Sequence, residues 1–382
     1  MGTYNITTAQ EVDDFIRGLA LLGTGGGGRP EAGRALLIEH VQKGEAVGWV
    51  DIEDIPDEAW VCSAFGMGSV APRPKDFAPN KIGPEYGRIR IAHPLADAIH
   101  ELESYTGIKI EVVVPFELGA LNTAGPIDAA VRLGLRVMDG DCAGRAVPEA
   151  VQALPAIWGG RFCPAAICDQ WGNILIMKRA SSTAVAERLG KMISTVTKAP
   201  DPHALCGFAA FLSKAKEMKR MIIPGTLTRT LAIGQAIREA RERGEDPVRA
   251  AVEALNGWLL FKGEVVEKEW ENKQGYMYGI TAIEGVEEFA GHSFKIWFKN
   301  ENHITWKDGV KFVTSPDLIM VVELATAEPI INTYLKKGDM VAVLGKANRI
   351  YRSKECLPLL GPRHFGFDFD YVPIEELVTD GV

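Results

Sequence analysis

The chain has 382 residues, 47% hydrophobic and 24% charged, with 42 basic against 50 acidic residues and a net charge of −8. This length suggests two domains of ordinary globular composition, and the acidic balance excludes a sequence-independent nucleic-acid binder, which needs a basic surface. No apolar run approaches a membrane span, no leader pattern opens the chain, and six cysteines are scattered without a second pair at zinc-ribbon spacing, so a cytoplasmic protein with reduced thiols is expected.

Thr8 and Glu11 form a capping box, followed by Val12, Phe15, Ile16 and Leu19 at helical spacing. That helix stops at Gly23, Thr24, Gly25, Gly26, Gly27 and Gly28, and Pro30 suits the first turn of a second helix. Strands are expected over 47–52 and 60–65, a helix over 91–105, a buried strand over 108–116, a helix over 127–133 and a short strand over 133–138. A hairpin over 165–177 turns at Trp171, Gly172 and Asn173, and a helix is expected over 184–196. This alternation predicts a mainly parallel, Rossmann-like α/β domain over residues 1–197. In residues 198–382, helices are expected over 231–243, ended by Gly244, and after Asp246 and Pro247, which suit the N-cap and first turn. From Trp258 to Tyr351 short β-runs alternate with turns at Gly263, Gly285, Gly309 and Gly338, which predicts a β-rich C-terminal domain. Lys214, Lys216, Lys219 and Arg220 read as a solvated helix face.

The densest chemistry lies between 139 and 149, where Asp139, Asp141, Cys142 and Arg145 follow a strand. Open α/β sheets build ligand sites at such strand ends. Two neighbouring strands lead into Gly66 to Ser69 and into Glu117, Gly119 and Asn122. If the strands are parallel, Glu117, Asn122, Asp139, Asp141, Cys142 and Arg145 converge at one edge. A carboxylate there could serve as general base, Arg145 as anion holder, and Cys142 as nucleophile if Arg145 lowers its pKa. The alternatives are a loop ion pair for Asp141 and Arg145, and a packed thiol for Cys142.

The glycine run follows a helix, where a dinucleotide fingerprint would follow a strand, and no Gly-Lys-Ser/Thr ends it. Both points argue against a nucleotide. Either a tight turn or a nest of amides for a carboxylate or carbonyl oxygen fits. Thr226, Thr228 and Arg229 open a helix and offer an anion site or ordinary capping. Asn300, Glu301 and Ser315 to Asp317 sit where turn chemistry explains polar residues, and His364 lies in an aromatic-rich loop that suits a lid or a packed tail. The carboxylates and histidines permit a divalent metal without demanding one.

Taken in order, Leu22 to Gly28, Asp139 to Glu149, Pro224 to Thr228, Phe298 to Glu301, Pro316 to Ile319 and Gly361 to Gly366 resemble the S-methyl thiohydantoin desulfurase family. The resemblance spans nearly the whole chain. It implies a Rossmann-like domain before a β-rich one, and an enzyme that replaces sulfur by oxygen on a five-membered ring or acts on a related cyclic amide. It also implies a hydantoinase/oxoprolinase-type partner, which leaves a noncatalytic ligand-binding subunit as the alternative function. Such chemistry needs a base or activated water, an acid for the leaving group, and donors for developing charge. The candidates are Glu117, Asp139 and Asp141 for proton transfer, and Arg145 with the amides of Gly25 to Gly28 for charge. Cys142 fills a position that need not be a thiol in the family pattern, which demotes it. Homo-oligomerisation is expected on general grounds.

Overall fold

The computed structural model describes residues 3–73 and 91–378. Two large sheets and a layer of helices between them organise the chain. Among the described residues no helix is long and apolar enough to cross a membrane.

The first sheet has six strands, in the spatial order Arg136–Val137, Val112–Pro115, Trp60–Gly66, Cys206–Lys214, Ala165–Asp169 and Ile174–Met177. The first three are mutually parallel, joined by helices Pro94–Thr106 and Ala120–Leu133. The other pairings are antiparallel, with Ala64 opposite Ala209 and Ile167 opposite Phe208. The sheet is therefore mixed, where the alternation of elements had predicted a mainly parallel layer. The difference comes from Cys206–Lys214. Its run from Cys206 to Phe211 is buried throughout, as a strand covered on both faces requires, and it inserts at the sheet centre. Since it follows position 197, the two expected halves of the chain share this sheet. Phe65, Phe116, Phe162, Phe208 and Phe211 contact one another on one face, while Leu95, Ile99, Leu102 and Ile127 belong to the core on the other.

The second sheet is antiparallel and seven-stranded, and begins with the long hairpin Trp258–Lys273 and Tyr276–Gly285. Gln274 and Gly275 take φ of 54° and 81° there, the pair of positive values a tight two-residue hairpin needs. Gly263, expected as a turn, lies inside this hairpin opposite Gly285. A side chain there would meet the Glu284 carbonyl oxygen at 2.2 Å, so the glycine reflects close strand approach. Strand Leu318–Glu323 shows the two-residue period plainly. Leu318, Met320 and Val322 enter the core shared with the helices, whereas Ile319 and Val321 enter the core on the opposite face.

Helix Ala9–Leu22 starts at the expected Thr8 and Glu11 capping box. It packs against helix Thr226–Arg243 through small residues: a Cβ at Gly18 would lie 2.0 Å from the Thr230 carbonyl oxygen, and one at Gly234 1.8 Å from that of Asp14. Buried Asp14 bridges Arg17 at 2.7 Å and Arg238 at 2.9 Å. This packing fixes the end of helix Ala9–Leu22, and with it the glycine turn that walls the site.

A candidate active site with paired buried carboxylates

A cavity of about 110 Å³ lies where the first sheet's parallel edge meets the tip of hairpin Ser293–Lys299 and Glu301–Lys307. Glu117, Asn122, Gly27, Gly28, Asn300 and Glu301 line it, six of the residues singled out in the sequence. Each arrives for a local reason. Glu117 follows strand Val112–Pro115, and Asn122 sits in the first turn of helix Ala120–Leu133. The Gly27 carbonyl oxygen accepts from the amides of Leu121 and Asn122, so the glycine turn satisfies two amides that a helix start leaves open. Asn300 takes φ of 58° in the hairpin turn, and its side-chain oxygen accepts from the Met277 amide at 2.9 Å.

Glycine is required in this turn for space as well as conformation. At Gly26 a Cβ would lie 1.9 Å from the Glu301 Oε1, and Gly27, at φ of 74°, passes so close to Gly119 that a Cβ would lie 2.4 Å from its Cα. The Thr24 and Gly25 carbonyls accept from the amides of Asn302 and Asn332. The run therefore clamps the first sheet's loops to the second sheet and lies directly against the Glu301 side chain.

Glu117 and Glu301 are the two carboxyl groups at the centre. The Glu117 oxygens accept from Asn122 Nδ2 at 2.6 Å and from the Val147 amide at 2.8 Å. Glu301 Oε2 is buried with no hydrogen-bond partner among the described residues. Burial raises Glu117 to about 7, against the Asn122 and Val147 hydrogen bonds and Lys191 and with a further push from Asp141. Burial raises Glu301 to about 8, with a further push from Glu117 and against Arg145 and Lys191. Two such groups hold fewer than two negative charges near neutrality, so the pair can both give and take a proton.

Lys191 and Glu187 also line the cavity, from helix Thr183–Lys198. Burial pushes the Lys191 ammonium down against the opposing pull of Glu187 and Glu301. Glu187 accepts from the Tyr276 hydroxyl at 2.6 Å and from the Ala150 amide at 2.9 Å, and Lys191 sits 4.0 Å above the Tyr276 ring. His203 lines the same cavity with both ring nitrogens unpartnered among the described residues, and burial together with Arg29 and Arg73 pushes it down to about 4, which leaves it neutral. The sequence reading missed these residues. One signal was present: Glu187, Lys191, Ser194 and Lys198 share one helix face.

The stretch 139–149 divides. Asp139 lies outside the cavity and caps helix Thr226–Arg243, accepting from the Leu227 amide at 3.0 Å and the Thr228 hydroxyl at 2.6 Å. That helix start is thus filled by the chain's own carboxylate, and Thr228 also accepts from the Trp49 indole. Asp141 is buried and accepts from the amides of Ala143 at 2.8 Å and Gly144 at 2.6 Å; burial raises it to about 7 against those amides. Cys142 is buried in the aromatic core, 4.0 Å from the Ser63 hydroxyl, and burial pushes its thiol up, the reverse of nucleophile activation. Arg145 is fully buried and donates to the Thr24 hydroxyl at 2.9 Å and to the carbonyls of Asn302, Asp317 and Ala146. It ties the two sheets together and faces no open space. His364 pairs with Glu149 at 3.0 Å, outside the cavity, where Lys299 also reaches Glu149. Thr226 and Arg229 line a separate cavity. Among the described residues no group of three or more His, Cys, Asp or Glu is placed to hold a metal.

Comparison with known proteins agrees with this architecture. A crystal structure of a protein from Chromobacterium violaceum, a structural-genomics target, shares the fold with a TM-score of 0.75 at 19% identity, over 97% of this chain and 100% of that one. No curated protein matches significantly. Residues 10–179 match the S-Me-THD-like N-terminal domain and residues 182–374 the S-Me-THD-like C-terminal domain. Because these matches cover nearly the whole chain, this protein belongs to the S-Me-THD-like family, the S-methyl thiohydantoin desulfurase group that its ordered motifs resemble.

Proposed function

We propose that this cavity hydrolyses an S-methyl thiohydantoin or a related small cyclic amide, releasing a thiol and leaving a ring carbonyl. The carrying observation is the buried Glu117 and Glu301 pair, with one oxygen free, facing a cavity of about 110 Å³. Family membership supports the substrate class. A cavity of this size suits a single small ring better than a dinucleotide.

In this reading the ionised member of the pair takes a proton from water as the water oxygen bonds to the ring carbon bearing sulfur. The pair's other, protonated carboxyl gives its proton to the ring nitrogen as the nitrogen's double bond to carbon opens. The carbon–sulfur bond then breaks: the new hydroxyl on carbon returns a proton to that carboxylate as the carbonyl forms, and the first carboxyl gives the proton it took from water to the departing methanethiolate, so both groups end as they began. The sequence is redox-neutral and consumes one water. Lys191 and the amides of Gly27 and Gly28 at the cavity wall oppose the developing negative charge. Neutral His203 offers one donor and one acceptor to the ring amide. The test is thiol release from S-methyl thiohydantoins, with hydantoins and lactams as comparison substrates. Release by the wild type and its loss in Glu301→Gln is expected. Ligand-induced thermal stabilisation without any product would replace this reading by a noncatalytic ligand-binding subunit.

A further inference from the structure

A second cavity, of about 440 Å³, opens between the start of helix Thr226–Arg243 and the end of strand Met340–Lys346. Its walls carry Thr226, Arg229, Lys346, Asn348 and Arg349, with Trp258 as an apolar side. Three cations, Arg229, Lys346 and Arg349, surround one opening. Carboxylates compensate them only in part, with buried Asp141 near Arg229. Arg229 has no carboxylate within ion-pair distance among the described residues, Lys346 donates to the Leu255 carbonyl, and Arg349 meets Glu375 at 3.4 Å. Burial, then Arg229 and Arg349, push the Lys346 ammonium down, the mark of crowded like charges.

An independent observation comes from Asn348. It is 7% exposed, and its Nδ2 has no hydrogen-bond partner among the described residues. Its backbone amide is pinned to Asp317 Oδ1 at 2.9 Å, so the side chain is held at the cavity wall. Buried donors are normally satisfied, because leaving one open forfeits its hydration without a replacement. The Thr226 hydroxyl, in a residue 3% exposed, stands at the same wall. Fixed donors, three cations of which only Arg349 pairs directly with a carboxylate among the described residues, and an apolar side together match an oxyanion.

We infer that this cavity is a binding site for a small oxyanion, a phosphate or a carboxylate, held by Arg229, Lys346, Arg349 and the Asn348 amide. It is separate from the carboxylate cavity: Gly144 lines this one, while Val147 lines the other. The inference does not depend on the proposed hydrolysis.

The test is calorimetric titration of the full-length protein at low ionic strength with inorganic phosphate and, in a second arm, succinate. One saturable site is expected for at least one anion, and the stronger binder tells a tetrahedral from a planar oxyanion site. Arg229→Ala and Arg349→Ala should each weaken binding about tenfold or more, the scale of a lost charge-assisted contact. Asn348→Ala should weaken it by a smaller factor. Arg249→Ala, at an exposed arginine paired with Glu253, should leave binding unchanged. Circular dichroism checks that the variants are folded. Absence of saturable binding in both arms overturns the site, and so does equal weakening by Arg249→Ala and Arg229→Ala.

Discussion

Two regions of this molecule bury charged side chains, and they do different things with them. In the loop from Asp139 to Arg145 the charges are spent on fastening: Asp139 caps a helix, Asp141 closes its own turn through one oxygen, and Arg145 bridges three carbonyls and a hydroxyl. The other Asp141 oxygen has no partner among the described residues but lines neither cavity. Around Glu117 and Glu301 the satisfaction is incomplete, with a free carboxylate oxygen and two open imidazole nitrogens beside a cavity. The density of chemical groups along the chain drew attention to the first region. Open hydrogen-bonding groups that border a cavity single out the second. A saturated buried charge is a fastener, whereas an unsaturated one beside a cavity can still exchange a proton.

The sharpest way to break this contrast is to neutralise one carboxyl in each region. Glu301→Gln should lower kcat by about 10²–10⁴, the usual worth of a general acid or base, with the melting temperature unchanged or raised. Asp141→Asn should keep turnover within a few-fold. If the two variants trade behaviours, the assignment of the regions is reversed. Next in size, Arg145→Met should cost on the order of 3–5 kcal/mol of stability, read from urea midpoints, because several buried acceptors lose one partner.

Asp141 also gives a pH test. Burial raises its folded pKa to about 7, above the 3.8 of an ordinary aspartate. Between these values the folded state holds a proton that the unfolded state has lost, so stability falls as pH rises from about 4 to about 7. Asp141→Asn should flatten that slope, measured by denaturation across the window. Asp139→Ala should cost about 1 kcal/mol as a lost helix cap, with activity retained. Cys142→Ala should be the mildest, at about 1 kcal/mol, with unaltered turnover. A large loss of kcat in that variant would restore the thiol to the mechanism.

The element order, the Thr8 capping box, the hairpin at 165–177 and the alternating strands of the second sheet were legible because each rests on residues a few positions apart. Glu117, Asn122 and the glycine turn were legible too, since strand ends and helix starts place them locally. Helix Thr183–Lys198 was legible as a helix but not in its orientation. Its apolar residues Val185, Leu189, Met192 and Val196 are exposed, while Glu187 and Lys191 are buried. Periodicity defines two faces and does not say which one turns inward. Pairing partners were equally hidden. Asp139 meets Thr228 across 89 positions and Arg145 meets Asn302 across 157. The sequence by itself determined which groups could do chemistry and which segments would be regular. Only the tertiary structure decided which buried charges are satisfied, because that depends on donors brought from distant parts of the chain.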